Sequence, residues 1–315
     1  MVASFFAGVG GIDLAFEQAG FNVIYANEID EKAAKTYELN FNLKVDVRDI
    51  KDIEPNKLPD FNILVAGFPC QAFSIAGYRE GFEDKKGRGN LFFNIINILE
   101  HKNVEVVFLE NVKNLVSHDK GNTFKIIIRE LERLGYYIKY KVLNGMEYGN
   151  IPQNRERIYI VAFKNKQAYE RFEFPSKIDL TNRLDNVIDY ENNVDNKYYY
   201  TQDKCSFFGE LKNKINKHNT VYQWRRIYVR ENQSNVCPTL TANMGMGGHN
   251  VPIIYTNSKK YRKLTPKECF NLQGYPEEYK LPQDIADSQL YKQAGNSVVV
   301  PVIRRIAENI AQAIQ

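Results

Sequence analysis

The stretch VASFFAGVGGIDLAFEQAGFNVIYANE, residues 2–28, decides the fold. An apolar run, VASFF, leads directly into Gly8, Gly10 and Gly11, then into the helical-period segment DLAFEQAG, then into a second apolar run that ends on Asn27 and Glu28. Glycines placed after a strand and ahead of a helix permit a tight turn and close approach of backbone to a ligand. An acidic side chain about 20 residues further on, at the end of the next strand, can accept from ribose hydroxyls. Together they point to an adenosine-bearing cofactor, although the glycine spacing alone is shared by many nucleotide-binding folds and by plain structural turns. Asp49, in DVRDI after the third apolar run, adds an acceptor for an adenine amino group.

Outward from this stretch the same alternation continues to about Phe163, through FNILVAG, NIINILEH, VEVVFLENV and IIIRELERLG. Apolar runs bounded by turn residues and separated by helix-period segments read as βα units. The expected fold class is therefore α/β, a doubly wound, mostly parallel sheet with ligands at the carboxyl ends of its strands, plus a second, smaller, irregular β-rich domain. That second domain is expected from about 175 to 260, where Asn, Lys, Tyr and Gly dominate without a clear helical period. Between Lys197 and Arg230 eight Lys or Arg face two Asp or Glu and are interleaved with eight aromatics. The mixture suits phosphate contacts with base or sugar packing, and it equally suits a small β-rich domain whose aromatics are its core. The amphipathic segment VIRRIAENIAQAI closes the chain as a helix.

The 315 residues, 43% of them hydrophobic, can bury a substantial core, which excludes a disordered or fibrous protein. The net charge of +4 is too small to imply a nucleic-acid partner by itself. No apolar run approaches the about 20 residues of a membrane span, and the start, MVASFFAGVGG, lacks the features of a signal peptide, so a cytoplasmic protein is expected. Cys70, Cys205, Cys237 and Cys269 form no CxxC pair, so neither a disulfide framework nor a metal site is expected.

GFPCQAFSIAG, residues 67–77, carries the chemistry. A free cysteine is ordinarily a small buried hydrophobe. Cys70, however, follows the strand FNILVAG where this fold places its reactive groups, and Pro69 favours an extended backbone that presents the thiol to the cleft. The glycine-rich, mixed-charge residues after it read as a loop that closes over a substrate.

With PCQ in this loop, ENV at Glu110 to Val112, QNRER at 153–157 and AGNSV at 294–298, in that order behind FAGVGG, the chain resembles the bacterial DNA cytosine-5 methyltransferases of type II restriction-modification systems. The resemblance spans all but about 175–235. It departs from the family pattern at Ser4, where many members carry Asp, and at Arg48, where Gly commonly precedes the third-strand Asp. It implies S-adenosyl-L-methionine as cofactor, leaving as S-adenosyl-L-homocysteine, held by Phe6, Gly8, Gly10, Gly11, Glu28, Ile29, Asp49, Ile50, Pro69, Leu91, Asn296 and Ser297. It implies duplex DNA as partner, with Ser74, Arg225, Arg226, Arg230, Thr239, Leu240, Gly247 and Gly248 as contacts. It divides the chain into a catalytic part, 1–180 with 290–315, a target-recognition part, 181–262, and a hinge, 263–289.

Cytosine carbon 5 is too poor a nucleophile to attack a methyl sulfonium, so a thiolate must first add to carbon 6, and Cys70 is the matching group. The resemblance gives Glu110 the ring nitrogen 3 and Arg157 the oxygen 2. Arg155 is expected to share a face with Arg157, because alternate strand residues do, and to anchor the Glu110 side or the loop. Two solvent arginines on an edge strand would alternate in the same way. The target base must leave the duplex to meet the thiol. A monomer without metal is expected, working independently of any cognate endonuclease, and the resemblance of the VYQWRR to GGHNVP segment to multi-specific bacterial enzymes implies a short GC-containing palindrome such as GCNGC. Other readings are a tRNA cytosine-5 methyltransferase, a catalytically silent DNA-binding regulator, and a nicotinamide-dependent oxidoreductase, the last of which leaves the PCQ loop without a purpose.

Overall fold

The computed structural model describes residues 1–69, 91–191, 194–244 and 251–315. They form two compact units: Met1–Leu143 with Glu156–Ser176 and Ile303–Gln315, and Asn144–Arg155 with Lys177–Val302.

The first unit is built on strands β1 (Val2–Phe5), β2 (Val23–Asn27), β3 (Val45–Asp46), β4 (Ile63–Ala66), β5 (Val106–Val112), β6 (Tyr137–Asn144) and, after the short β7 (Gln153–Asn154) of the second unit, β8 (Glu156–Phe163). Among the described residues they make a seven-stranded sheet in the order β3-β2-β1-β4-β5-β8-β6. The first five pair in parallel, and β8 runs antiparallel to β5. The doubly wound, mostly parallel sheet is the one the apolar runs predict. β1 and β4 are buried along their whole length, as strands covered on both faces must be.

Helix α1 (Gly11–Gln18) follows β1 and sets Phe16 edge-on against Phe108 of β5, ring centroids 5.3 Å apart. Helix α2 (Glu31–Glu38) starts where the Asp30 side chain accepts from the Lys32 and Ala33 N–H groups. Helix α3 (Leu91–His101) buries Phe92, Ile95, Ile96, Ile98 and Leu99. Helix α4 (Asn122–Arg133) buries Phe124, Ile127 and Leu131 at helical spacing, one apolar stripe on an otherwise polar helix. Each of these fully buried side chains contributes about 1.5–3 kcal/mol of burial. The chain order 3-2-1-4-5 reverses between β1 and β4, so the carboxyl ends of these two strands flank the crevice where this architecture takes its ligands.

The second unit holds an antiparallel five-stranded sheet, β11-β10-β13-β14-β9, from β9 (Tyr199–Tyr200), β10 (Tyr222–Trp224), β11 (Val229–Glu231), β13 (Ile253–Tyr255) and β14 (Tyr261–Lys263). The separate β12 (Cys237–Pro238) pairs in parallel with β7. Helix α5 (Phe208–Lys214), which the sequence pattern does not announce, packs Leu211 with Tyr222, Trp224, Val229 and Ile253, and Phe207 stacks on Trp224 at 4.3 Å. Helix α6 (Pro266–Asn271) begins with a capping box between Thr265 and Glu268. Helix α8 (Val300–Ile314) is the closing helix expected, and a further helix α7 (Asp287–Asn296) precedes it, the two separated at Ser297–Val299 ahead of Pro301. These units follow other boundaries than the functional segments expected from the resemblance: 144–155 and all of 263–302 join the residues around the antiparallel sheet.

Candidate active site

In the first unit β1 ends in a strained turn. Phe6, Gly8 and Gly10 all have left-handed φ, at 55°, 55° and 80°. Gly10 has two reasons to be glycine. A Cβ there would lie 2.3 Å from Phe41 Cε2 and 2.9 Å from Tyr37 Cδ2, whereas a Cβ on Gly8 would meet nothing within 4 Å. The backbone therefore rests on two stacked rings at Gly10 and is open at Gly8. The Gly8 N–H donates to Glu28 Oε2 at 2.8 Å, and Glu28 Oε1 accepts from the Asp30 N–H at 2.8 Å. Burial pushes the Glu28 carboxyl above its usual 4.5. Beside it Ile29 is 61% exposed, an apolar surface next to a tethered carboxylate.

The third strand end is stitched to the second. Asn27 Nδ2 donates to the carbonyls of Asp46 and Arg48 at 2.8 and 2.9 Å, and this sets Asp49 close behind them at the start of a short 3-10 turn that buries Ile50. Both departures from the family pattern have local partners. Arg48 grips Asp46, which also accepts from the Tyr25 hydroxyl, and the Ser4 hydroxyl donates to buried Asp13 at 2.8 Å.

At the ends of β4 and β5 the chain brings together Glu110 and Arg157, two of the residues expected at the site. Glu110 is 8% exposed, and its Oε1 lies 3.1 Å from Arg157 Nε. The register pairs Glu110 with Tyr159 and Val112 with Arg157, so Arg157 reaches Glu110 as a diagonal neighbour on one sheet face. The other carboxylate oxygen, Oε2, lies 3.6 Å from the Cβ position of Gly67, three residues before Cys70. Asn111 Nδ2 donates to the Phe68 carbonyl at 2.8 Å, which holds the strand leading to Pro69 in place. Pro69 is exposed and Leu91 half-buried. Cys70, Ser74, Gly247 and Gly248 lie outside the described residues.

Arg155 departs from expectation. It precedes β8, so strand alternation does not govern it, and its guanidinium, 2% exposed, donates to the carbonyls of Leu240 at 2.7 Å, Gly295 at 3.0 Å and Ser297. Instead of anchoring the Glu110 side, it clamps three backbone carbonyls of the second unit. Thr239 and Leu240 belong to the same clamp. The Thr239 hydroxyl donates to the Asn154 carbonyl at 2.6 Å, the Leu240 N–H donates to Gln153 Oε1 at 3.1 Å, and the Leu240 side chain is 1% exposed. Leu240 is thus a core residue with nothing to offer a DNA groove.

Gly295 packs so closely that a Cβ would lie 2.2 Å from the Thr241 carbonyl carbon. The Ser297 hydroxyl lies 2.5 Å from the Tyr275 hydroxyl, and Asn296 is exposed at the end of α7. The sequence reading passed over Gln153 and Gln273, both fully buried: Gln153 Nε2 donates to the Leu272 carbonyl and Gln273 Nε2 to that of Ala294. The QNRER motif held the signal for Gln153, beside the two arginines.

The basic and aromatic stretch divides into a buried part and an exposed one. Tyr222 and Trp224 are core, while the tip between β10 and β11 is solvent-exposed: Arg225, Arg226, Ile227 at 82%, Tyr228 at 51%, with Arg230 exposed just behind. The Arg225 N–H donates to the Tyr228 carbonyl at 2.8 Å, and Arg226 holds a left-handed φ of 71°, a strain of about 1–2 kcal/mol for a residue with a Cβ. Among the described residues no group of three or more His, Cys, Asp or Glu could hold a metal ion, and no helix is long and apolar enough to cross a membrane.

Residues 1–312 match the family model of the C-5 cytosine-specific DNA methylases. The chain is 59% identical over 310 residues to the type II methyltransferase M.Bsp6I of Bacillus sp. (strain RFL6), covering 98% of both chains. It is 40% identical over 322 residues to M.HhaI of Haemophilus parahaemolyticus, covering 98% of this chain and 93% of that one. Among solved structures a DNMT2 mutant from Spodoptera frugiperda superposes with a TM-score of 0.77 at 20% identity, over 98% of this chain and 99% of that one, a likeness of fold. The chain belongs to the C-5 cytosine-specific DNA methylase family, and its reaction is the transfer of a methyl group to carbon 5 of cytosine in DNA.

Proposed function

We propose that this protein is the modification enzyme of a type II restriction-modification pair, taking its methyl group from S-adenosyl-L-methionine and acting on one cytosine of a short sequence in duplex DNA. The turn at Gly8, open on its Cβ side, the tethered Glu28 carboxylate and the exposed Ile29 suit the adenosine end of that donor. Phe6, Gly10, Gly11, Asp49, Ile50, Pro69 and Leu91 of the first unit complete the proposed set. When bound, the donor supplies an electrophilic methyl sulfonium.

The chain's own residues do the rest. Cys70, as thiolate, adds to carbon 6 of the cytosine and drives an electron pair toward ring nitrogen 3. Glu110 gives or shares a proton at nitrogen 3, and Arg157 donates to oxygen 2, each held by the other in a geometry fixed by the sheet. Carbon 5, now enamine-like, accepts the methyl group. A base then removes the carbon 5 proton and the thiolate leaves. The ring is reachable only when the nucleotide is turned out of the duplex, at an unstacking cost of a few kcal/mol. The strained, exposed tip at Arg225–Tyr228, with Arg230, supplies phosphate and base contacts. The protein works as a monomer in the bacterial cytoplasm, apart from any endonuclease.

The observation that carries this reading is the Glu110–Arg157 pair set beside Gly67, at the strand end that leads into Cys70. Incubation with tritiated S-adenosyl-L-methionine and either duplex DNA or tRNA tests it, with Cys70→Ala alongside. Label in DNA as 5-methylcytosine, absent with the variant, is the expected result. Label in tRNA would overturn the substrate, and label retained by the variant would overturn the nucleophile.

A further inference from the structure

Asp13 is a buried carboxylate that the reaction does not use. It is fully buried at the third position of α1, just behind the Gly8–Gly10 turn, and accepts from the Ser4 hydroxyl of β1 at 2.8 Å and the Tyr37 hydroxyl of α2 at 3.0 Å. Its own backbone N–H also donates to it. Tyr37 in turn stacks on Phe41 at 4.3 Å, and these two rings are the surface against which Gly10 is pressed. One carboxylate therefore ties together the end of β1, the start of α1 and the wall behind the turn.

We propose that Asp13 is a positioning residue of the methyl-donor pocket: ionised, it holds the Gly8–Gly10 turn in its binding shape, and protonated it releases one of the hydroxyls and loosens the turn. The inference rests on the donor reading above. A carboxylate accepts from every donor around it, whereas a carboxylic acid must turn one of its oxygens into a donor, for which either Ser4 or Tyr37 would have to reverse. Burial raises the Asp13 carboxyl to about 7, against the lowering effect of the two hydroxyls, so the change of state falls near neutral pH. The titratable groups facing it are Glu17 from α1, whose charge pushes in the same direction, and Tyr37 from α2; β1 contributes Ser4, which does not titrate.

The test is equilibrium binding of S-adenosyl-L-homocysteine by titration calorimetry from pH 6 to 8, on the wild type, Asp13→Asn and Ser4→Ala, with circular dichroism to establish that each is folded. The wild type should bind about fivefold tighter at pH 8 than at pH 6, the worth of about one hydrogen bond, with a midpoint near 7. Asp13→Asn, which imitates the protonated acid, should stay flat at the weaker value. Ser4→Ala should keep the step and move its midpoint upward, because the carboxylate loses a donor. A step that persists in Asp13→Asn belongs to another group, Glu28 first, and overturns the inference, as does a wild type without a step. Absence of binding at every pH refutes the donor reading itself, and this inference with it.

Discussion

Replacing Arg155 with methionine removes a buried guanidinium while keeping an apolar stem of similar length, so the loss is the clamp and little else. Three carbonyls, of Leu240, Gly295 and Ser297, lose a charged donor in a place that admits almost no water. An unsatisfied buried polar group costs about 1–3 kcal/mol. At the lower bound for each carbonyl, since each keeps a lone pair that can find another partner, the second unit loses about 3 kcal/mol. At about 2–4 °C per kcal/mol for domains of about 150–250 residues, the melting transition should fall by about 10 °C. Arg155→Lys keeps the charge but presents a single ammonium in place of the planar fork, and should lose about half as much. Differential scanning fluorimetry on the two variants, beside a tritium-transfer assay at a temperature where both are folded, reads this out. An Arg155→Met protein that melts with the wild type yet transfers no methyl would refute the reasoning, because the arginine would then act on substrate and the three carbonyls would need no clamp.

Gly295→Ala forces a methyl to within 2.2 Å of the Thr241 backbone, and should cost at least about 3 kcal/mol and most of the soluble yield. Gly8→Ala meets only the left-handed φ penalty of about 1–2 kcal/mol; it should fold and instead weaken donor binding, which calorimetry would show. Because the Asp13 carboxyl rises on folding from 3.8 to about 7, the stability it contributes is complete below pH 4 and lost as pH rises through 7. Asp13→Asn should therefore melt higher than the wild type at pH 8, by at most about 4 kcal/mol, with the difference vanishing toward pH 4; a variant that melts lower at pH 8 contradicts it. Glu110→Gln keeps a hydrogen-bonding shape without an acidic proton and should slow methyl transfer by about 10²–10⁴-fold in single-turnover assays, with DNA binding by gel shift unchanged.

What could be read from the sequence was chemistry carried by neighbours along the chain. The run from Val2 to Glu28 states its strand, turn, helix and strand within one βα unit, and the turn at Gly8 does meet the acid at its end, because 20 residues of βαβ geometry leave little choice. Glu110 was legible through the ENV motif that carries the resemblance, at the end of an apolar strand. Arg155 was not, since its carbonyl partners lie 85 to 142 residues away, and no periodicity encodes a contact at that range. Trp224 and Tyr228 look alike in a basic, aromatic stretch, and only the pairing of Trp224 with Val229 across the hairpin sorts the buried ring from the exposed one. Asp13 escaped because a carboxylate in a helix ordinarily marks a solvated face, and its two hydroxyl partners sit on other elements.

The second unit is made of two separate stretches, for the chain passes between the units after Leu143, Arg155, Ser176 and Val302. A recombination event that carried 177–302 into a related gene would leave behind Gln153 and Asn154, the strand on which Cys237 and Pro238 are laid. The exchangeable cartridge is smaller. Between β9 and β11 the chain leaves and re-enters one antiparallel sheet, carrying the arginine tip and nothing that the Gln153–Arg155 strand must grip. Exchange of the stretch between β9 and β11 would therefore leave in place the three carbonyls that Arg155 holds.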